Sequence, residues 1–405
     1  MIKQRIACLL LILAPLTTMA QDISATVPIP ALAQKDGNLF HMASESAKGK
    51  PVLLQPLYWL KTLIDSSAVA TVDRSYIEQP KQEWAIEART TLNQSTLKME
   101  TTWENDGKDV DLWAESKNGF STSVGLWLGY RGYGFGYSKE IGNTTGSTLS
   151  FGATGGSFGI NLRIGSYRSD MPDISMAGVK LIDYETVDDR LDDPIRVRTL
   201  FLDGYYLLNG KHFSYAAAYD NSLIQRRSAG SVVAGGMYCH SRSDYSNDSN
   251  WELSWLMKGV GKVKFTQASI GAGYAYNLVP GRGWLISAMG MPMLTLYNRT
   301  TKYVYDISIE NPRITDPDDW NNLTEEELYE IMADPETVGY MENEKAETTP
   351  NRLKLNFDAR LSVVYNFSRW YIRAYGHYNY FSYGSDLVSG HITDWTAYAS
   401  VGFRF

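Results

Sequence analysis

The most regular pattern in this chain is an alternation of apolar and polar residues over positions 353–367. Successive side chains of a β-strand point to opposite faces, so this segment predicts a strand with one apolar and one polar face. Val364 is the one apolar residue on the polar face. The segment is longer than the strands of ordinary soluble sheets, which favours a wall between lipid and water. Its apolar positions are Leu353, Leu355, Phe357, Ala359, Leu361, Val363, Tyr365 and Phe367.

The C-terminal segment 395–405 repeats the alternation and ends on an aromatic residue. Its length is what a tilted strand needs to cross a bilayer. A terminal phenylalanine on such a strand resembles the signal by which outer-membrane proteins are recognised for insertion. We therefore predict that Phe403 and Phe405 form a C-terminal insertion signal.

Twelve further segments show a similar pattern, which brings the predicted strand number to about 14, with 12 to 16 as the accepted range. The predicted fold is therefore all-β, an antiparallel transmembrane β-barrel. The further segments are 84–92, 96–103, 121–130, 133–140, 147–154, 158–164, 196–208, 213–220, 231–240, 268–276, 284–297 and 370–382.

Short turns and long connections divide these segments. Hairpin turns are predicted at Arg131-Gly132, Gly155-Gly156 and Asn209-Gly210, since Asn-Gly is the strongest short hairpin signal. Long connections are predicted at about 167–195, 241–262 and 298–352. In barrels of this kind, short turns face the periplasm and long loops face outward.

Short turns and long loops should alternate along the chain, because successive antiparallel strands end at opposite ends of the barrel. This alternation fails somewhere between residues 196 and 276. Counted back from a periplasmic C-terminus, one strand in this region must be wrongly assigned. The two suspected places are Trp251 to Leu256 and the segment Gln225 to Ser231.

The N-terminal residues differ from the strand region. Residues 1–20 combine Lys3 and Arg5 with a short apolar core, and the pattern predicts a signal peptide cleaved after Ala20. Residues 21–80 form a separate segment, in which the helical spacing of 52–64 predicts a short plug helix, an interfacial helix or a plain packing helix. The barrel is predicted over 81–405.

Composition agrees with an exported barrel. Aromatic residues make up 13% of the chain (27 Tyr, 13 Phe, 11 Trp), alongside 34 Gly, a mixture typical of β-barrels. Loss of Lys3 and Arg5 with the signal peptide changes the net charge from −7 to −9, which argues against nucleic-acid binding. Cys239 is then the one remaining cysteine, so the mature chain cannot form an internal disulfide.

Charged residues on the polar faces of the last strands are candidates for the barrel lumen. Asp358, Arg360, Arg373 and His377 are predicted to face inward. Charges inside a narrow barrel must pair, so a salt-bridged lumen lining is the favoured interpretation. A serine–histidine enzyme is the weaker alternative, since no register places a serine beside His377.

The segment Gln225 to Ser231 is polar and basic, in the middle of the strand region. Gln225, Arg226, Arg227 and Ser228 are predicted either to constrict the lumen and face a ligand or to form a turn with solvated arginines.

Residues 306–347 are strongly acidic, with 14 Asp and Glu against Arg313 and Lys345. Thr324 and Glu327 form a capping box that predicts a helical turn over 325–332. The spacing of Asp316, Asp318, Asn322 and Glu327 partly follows a calcium loop, but the required glycine is missing. Loose binding of divalent cations by the loop is a weaker alternative, and a solvated, charge-repelled surface loop is the favoured interpretation.

Several motifs together resemble a known family. They are Asp73-Arg74-Ser75-Tyr76-Ile77, the glycine–aromatic hairpin Gly129 to Tyr137, the segment Gln225 to Ser231 and the Arg-flanked terminal Phe405. The chain resembles, over about 73–405, an uncharacterised Bacteroidetes-type outer-membrane barrel family known only as a domain of unknown function. The resemblance implies a barrel and an outer-membrane location, and no reaction, ligand or catalytic residue.

Three function hypotheses follow from these observations. The first is a passive channel or transport-related barrel, with the acidic segment 306–347 acting as an electrostatic filter for cations. The second is a closed structural or adhesion barrel of 8 to 10 strands that binds a partner through its loops. The third is a lipid-modifying barrel enzyme. The expected partners are outer-membrane lipid, the barrel-insertion machinery and small solutes or cations. No cofactor and no nucleic acid is expected.

Overall fold

The computed structural model describes residues 72–105, 108–117, 121–142, 144–169, 173–176, 179–180, 193–257, 259–314, 336–350, 353–384 and 388–405, with residues 324, 327, 331 and 334. The predicted signal peptide and the predicted helix at 52–64 lie outside these residues.

Twelve antiparallel strands close into a barrel, which confirms the predicted fold class. The first and last strands of the barrel pair with each other, from Ala85 opposite Arg404 to Thr101 opposite Val388. The barrel strands, in spatial order, are β2 (Trp84–Asn105), β4 (Ser121–Tyr130), β5 (Tyr133–Ile141), β6 (Thr144–Thr154), β7 (Phe158–Ser169), β10 (Ile195–Leu207), β12 (Ala229–Asp244), β13 (Val260–Leu278), β14 (Trp284–Glu310), β16 (Leu355–Phe367), β17 (Trp370–Gly384) and β18 (Val388–Arg404).

The remaining strands are additions to this barrel. β3 (Lys108–Lys117) pairs with the far half of β2, and β8 (Asp173–Met176) and β9 (Val179–Lys180) extend that edge. β15 (Val338–Pro350) pairs with the far half of β14. β1 (Ile77–Glu78) and β11 (Ile224–Gln225) form a separate two-stranded sheet.

The two ends of the barrel differ in the length of their connections. At the end that we call the turn end, β4 and β5 are joined by Arg131 and Gly132, which both have positive φ (48° and 91°), as a type I′ hairpin turn requires. The first and last barrel strands also meet there, where the Phe405 backbone N–H donates to the Trp84 carbonyl at 2.9 Å. The opposite end carries long connections such as those between β7 and β10 and between β14 and β15, and we call it the loop end. The long connection of the turn end is 208–228, between β10 and β12.

The barrel has two strands fewer than the 14 predicted. The segments 84–92 and 96–103 belong to the single strand β2. Residues 213–220 contain the helix α1 (Tyr215–Tyr219) and no strand. The Ser214 side chain caps this helix by accepting from the Ala217 N–H at 3.0 Å, and alanine favours a helix.

Helix α1 explains why the predicted short turns and long loops do not alternate between residues 196 and 276. The segment wrongly assigned as a strand is 213–220, and not one of the two suspected places. Of those, Trp251–Leu256 forms the helix α2, and Gln225 belongs to β11, which spans Ile224–Gln225. Asn209-Gly210 does not close a hairpin, because the Asn209 carbonyl accepts from the Phe213 N–H at 2.9 Å and leads the chain toward α1. In the described part of the chain, neither helix is long and apolar enough to span a membrane.

The outer surface of the barrel is apolar and rich in aromatic residues. On β16, Leu361 is 54% exposed while the adjacent Arg360 is buried, which confirms the alternation predicted for this segment. One row of exposed aromatics lies at the turn end and includes Trp84, Trp284, Phe367, Trp370 and Phe405. Further along the strands, exposed tyrosines include Tyr137, Tyr238, Tyr297 and Tyr378.

Candidate functional site

Apolar side chains fill one side of the lumen. The inward face of β14 carries Met289, Met291 and Met293, all almost completely buried. Because β14 is apolar on both faces, its inner face packs against other side chains and not against water. The sequence signal was the nearly continuous apolar run at 284–297. The cluster comprises Phe201, Tyr205, Leu207, Phe213, Tyr215, Val233, Met237, Phe265, Ala275, Met289, Met291, Met293 and Phe381.

A plug made of residues 72–78 and 208–228 closes the turn end from within. The two parts of the plug meet through the β1–β11 pairing of Ile77 with Gln225. Helix α1 is at its centre, and the side chains of Tyr215, Ala216, Ala217 and Ala218 are at most 1% exposed. A second apolar cluster joins α1 to the wall residues Leu285 and Val364.

The segment Gln225 to Ser228 belongs to this plug. Gln225 is buried, where its amide donates to the His212 carbonyl at 2.6 Å and its oxygen accepts from the Asn277 side chain at 3.0 Å. Arg226 and Arg227 are exposed, and Arg226 pairs with Glu78. The Ser228 hydroxyl accepts from the Val279 N–H at 2.9 Å. The structure thus places Gln225 alone, of these four residues, inside the barrel.

Polar side chains of the wall hold the plug through its backbone carbonyls. Arg404 donates two hydrogen bonds to the Asn221 carbonyl, at 3.0 and 3.1 Å. The Ser362 hydroxyl donates to the Ala218 carbonyl at 2.6 Å. Arg373 donates to the Tyr219 carbonyl and also pairs with Glu87 at 2.6 Å. These contacts satisfy carbonyls at the C-terminal end of α1, which a helix leaves without partners of its own.

Asp358, Arg360 and His377 lie together in the middle of the lumen. The Arg360 guanidinium bridges Asp203 at 3.1 Å and Asp358 at 3.3 Å, and also contacts the hydroxyls of Tyr205 and Tyr215. All three charged groups are almost fully buried. Arg373 lies apart from this group, in the pair with Glu87.

His377 connects this group to Arg163. The Nε2 atom of His377 lies 3.0 Å from Asp358 Oδ1, and its Nδ1 atom lies 3.4 Å from Arg163 Nη2. Because arginine can only donate, the geometry assigns a neutral His377 that donates from Nε2 to Asp358 and accepts at Nδ1. Both ring nitrogens of His377 are therefore engaged, and neither contacts a serine within the described residues.

A polar cavity of about 250 Å³ occupies the other side of the lumen. It extends from Tyr219 and Asp220 of the plug to Ser121 and Glu140, where the wall strands β4 and β5 end at the loop end. Most of its lining consists of hydroxyl, amide and aromatic side chains. These include Thr91, Asn93, Gln94, Ser123, Ser138, Thr148, Ser150, Asn161, Tyr167, Thr199, Tyr375, Thr396 and Tyr398.

A smaller cavity of about 30 Å³ lies at the turn end, next to Glu83, Arg131 and Arg404. Trp127, Thr154 and Asp220 line both cavities and so form a partition between them. The Thr154 hydroxyl donates to the Asp220 carboxylate, which also accepts from the Ser222 hydroxyl at 3.1 Å.

The indole of Trp127 lies flat against the wall because its neighbours there are glycines. A Cβ atom at Gly134 or Gly136 would come within 2.6 or 2.7 Å of the indole. The Arg89 guanidinium covers the ring at 4.4 Å from its centroid. The two glycines belong to the glycine–aromatic hairpin seen in the sequence, and their role in placing Trp127 was not predicted.

The acidic segment 306–347 is partly a β-hairpin. Its ends continue β14 and β15, with Glu310 opposite Val338, and Lys262 pairs with Glu344 at 2.7 Å. The predicted capping box is present, since the Glu327 N–H donates to Thr324 Oγ1 at 3.3 Å and the Thr324 N–H donates to the Glu327 carboxylate at 2.9 Å. The latter bond lowers the pKa of Glu327.

The calcium-like spacing falls mostly outside the described residues, which include only Glu327 of its four members. Among the described residues, no group of three or more His, Cys, Asp or Glu side chains could hold a metal ion.

The predicted insertion signal lies at the turn end. Phe403 and Phe405 stack with their ring centroids 6.4 Å apart, and Phe403 also contacts Trp370 at 4.8 Å. Phe405 is 52% exposed on the outer surface.

Solved structures similar to this chain are outer-membrane barrels. The outer-membrane protease OmpT of Escherichia coli is 9% identical, with a TM-score of 0.32, over 80% of this chain and 97% of that one. The translocator domain of the autotransporter NalP of Neisseria meningitidis is 12% identical, with a TM-score of 0.29, over 85% and 93%. The outer-membrane protein OprG of Pseudomonas aeruginosa is 10% identical, with a TM-score of 0.25, over 81% and 99%. Likeness at this level carries no argument about function.

No curated protein matches the chain. A family described as a domain of unknown function, DUF4421, matches residues 71–405, which include all twelve barrel strands and the plug. The match agrees with the coverage of about 73–405 that the sequence motifs implied. The chain therefore belongs to the DUF4421 family.

Proposed function

We propose that this protein transports a small solute through a gated path in the lumen of an outer-membrane barrel. The path begins at the loop end, passes through the large polar cavity and reaches the small cavity at the turn end. The observation that carries this proposal is the partition of Trp127, Thr154 and Asp220, which separates the two cavities.

The outer surface supports a location in the outer membrane. Outward apolar side chains, inward charges and a row of aromatics at the turn end are the features of barrels in lipid. Within this proposal the turn end faces the periplasm, where such barrels have their short turns.

The contacts that close the path can break without loss of the barrel. Asp220 is held by the hydroxyls of Thr154 and Ser222, and its neighbour Asn221 by Arg404. None of these contacts belongs to the ladder of hydrogen bonds between barrel strands. Movement of residues 219–222 would therefore join the two cavities while the wall stays intact.

Trp127→Ala is expected to make the resting barrel conduct ions. Removal of the indole takes away the largest side chain of the partition and leaves Thr154 and Asp220, so movement of residues 219–222 should join the cavities more often. Single-channel recording in a planar bilayer should show rare openings of the unaltered protein and frequent discrete steps of the variant.

The matched control is Trp284→Ala, which removes an indole from the outer surface at the turn end. It should conduct as rarely as the unaltered protein. A folded Trp127→Ala barrel that stays silent would contradict the proposed path.

Opening is expected to increase as the pH rises from acidic to neutral. Burial raises the pKa of Asp220 in the closed state, and Glu87 adds to this effect, while bonds from Thr154 and Ser222 and the charge of Arg373 oppose it. A raised pKa means that the closed state holds the proton more tightly than an open state in which the carboxylate is hydrated. Loss of the proton therefore favours opening.

The pH effect is measured as open probability in the Trp127→Ala background. Asp220→Asn should remove the pH dependence, since an amide does not titrate in this range. An unchanged pH dependence in the Asp220→Asn variant would assign the effect to another group.

A closed structural or adhesion barrel is the second candidate. The packed apolar side of the lumen and the buried pairs of Arg360 and Arg373 favour it, although the barrel has more strands than the 8 to 10 expected for that case. The same recordings decide between the two, because a structural barrel would stay silent with either partition variant.

We also propose how the chain is exported and what its loop end does. Residues 1–20 act as a cleaved signal peptide, and Phe403 and Phe405 are read by the insertion machinery of a Bacteroidetes-type bacterium. The acidic segment 306–347 attracts cations to the mouth of the path. The function is transport without catalysis, in line with the engagement of both His377 nitrogens by Asp358 and Arg163.

A further inference from the structure

Arg163 presents a fixed positive charge to the large cavity. Its guanidinium stacks on Phe201 at 4.5 Å and contacts His377, which is itself held by Asp358. No carboxylate of the described residues lies within ion-pair distance of Arg163, in contrast to Arg89 and Arg360, which pair with Glu87 and Asp203. A guanidinium oriented in this way can bind a carboxylate through two parallel hydrogen bonds.

Glu140 presents a negative charge to the same cavity, near the loop end. The residue is 8% exposed, and its Oε2 atom is buried with no hydrogen-bond partner. Its other polar contact is a hydrogen bond with the Ser121 side chain. A buried carboxylate oxygen without a partner is costly, so a cation that binds there is favoured.

The two charges lie at different depths of the cavity. Arg163 is opposite Ser150, and Ser150 is opposite Gly136 on β5. Glu140 lies four residues beyond Gly136 toward the loop end, which is about 13 Å along the strand. The Glu140 carboxylate therefore lies nearer the mouth of the cavity, and the Arg163 guanidinium lies deeper inside. A further carboxylate of the lining, Asp394, accepts a hydrogen bond from the Ser95 hydroxyl at 3.3 Å.

The size and lining of the cavity define the ligand further. A volume of about 250 Å³ is slightly smaller than the ~300–1,000 Å³ of sites for drug-sized ligands. Tyr167, Phe201 and Tyr398 offer aromatic surface, while serine and threonine hydroxyls offer hydrogen bonds for amide groups. We infer that this cavity binds a zwitterion of short-peptide size, with its carboxylate on Arg163 and its ammonium on Glu140. The inference rests on the proposed path, since it names the class of solute that the path admits.

The test is titration calorimetry of the full-length mature protein in detergent with the dipeptide alanyl-phenylalanine. Two analogues of this probe remove one charge each: the N-acetyl form lacks the ammonium and the C-terminal amide lacks the carboxylate. Each analogue should bind at least ten-fold more weakly than the dipeptide, since a hydrogen-bonded charge contributes about that factor or more.

Two variants assign the charges to their partners. In Arg163→Gln, the dipeptide and its amide should bind equally, because the carboxylate has lost its partner. In Glu140→Gln, the dipeptide and its N-acetyl form should bind equally. Arg198→Gln, which changes an exposed arginine of β10, is the control and should keep the affinity and preferences of the unaltered protein.

Absence of dipeptide binding, or equal binding of all three probes to the unaltered protein, would overturn the inference. The analogue series needs no substitution and so remains decisive even where a variant fails to fold. Calorimetry does not depend on conductance, so the two tests can be compared. If the unaltered protein does not bind the dipeptide but the Trp127→Ala variant conducts, the ligand class alone is refuted. If the unaltered protein binds the dipeptide but the partition variants do not conduct, the path is refuted and the binding site in the large cavity remains.

Discussion

Excision of residues 211–229 is expected to turn the closed barrel into an open channel, with conductance steps several-fold larger than those of Trp127→Ala. The deletion joins Gly210 to Gly230 and leaves Asn209 opposite Ser231. These two residues already contact each other, since the Asn209 N–H donates to the Ser231 hydroxyl at 3.0 Å. Gly-Gly is a favoured two-residue hairpin loop, so β10 and β12 should keep their register.

The physical reason for the larger steps is the volume that leaves the lumen. The deletion removes α1 and β11, while Trp127→Ala removes one ring of the partition. The wall arginines Arg360, Arg373 and Arg404 lose their contacts with α1 and the following residues and become hydrated. The ion pairs of Arg360 with Asp203 and Asp358, and of Arg373 with Glu87, lie within the wall and persist.

Recording in a planar bilayer, with heat-modifiable gel migration as the test of folding, checks this result. The control is Arg226→Gln with Arg227→Gln, which changes the exposed face of the plug and should leave the barrel closed. A folded excision variant without conductance would show that another part of the chain closes the lumen, and would contradict the assignment of the plug as the gate.

Arg360→Met is expected to lower the free energy of unfolding by about 3–5 kcal/mol. Arg360 bridges the carboxylates of Asp203 and Asp358, which are at most 2% exposed. Without Arg360, the buried carboxylates of Asp203 and Asp358 lie close together. Their remaining partners are His377, a hydroxyl group and an amide group. An unpaired buried charge loses its hydration and gains no compensating attraction.

Denaturant unfolding in detergent measures this loss. The matched control is Arg196→Met, which breaks an exposed pair with Asp193 at 3.6 Å and should cost at most about 1 kcal/mol. A neutral triple variant, Asp203→Asn with Asp358→Asn and Arg360→Met, should recover most of the loss. A loss for Arg360→Met no greater than that of the control would show that water solvates these carboxylates.

The structure explains why Val364 departs from the alternating pattern of β16. Val364 is the apolar residue on the otherwise polar face of β16, and alternation alone offers no reason for it. In the folded protein, Val364 is completely buried in the cluster that includes Ala216, Ala217 and Leu285. The inward face of β16 is thus apolar at the position that packs against the alanines of α1, although the neighbouring Ser362 binds the Ala218 carbonyl.

The segment 213–220 shows the limit of local patterns. Its residues alternate well enough for a strand, and the preceding Asn209-Gly210 is a good hairpin signal. The structure forms a helix there because wall residues from distant parts of the chain surround it. Ser362 holds the Ala218 carbonyl across 144 positions of sequence, and Arg373 holds the Tyr219 carbonyl across 154.

The pattern of residues along the chain is enough to predict the wall of this protein: an all-β barrel, the faces of its strands and the inward direction of Asp358, Arg360, Arg373 and His377. These features follow from a period of two residues, which is local and needs no partner to be seen. The plug, the partition at Trp127 and the individual ion pairs depend on contacts between residues that are far apart in the sequence. Glu87 and Arg373 are 286 positions apart, and their pairing exists only because β18 meets β2 and closes the barrel.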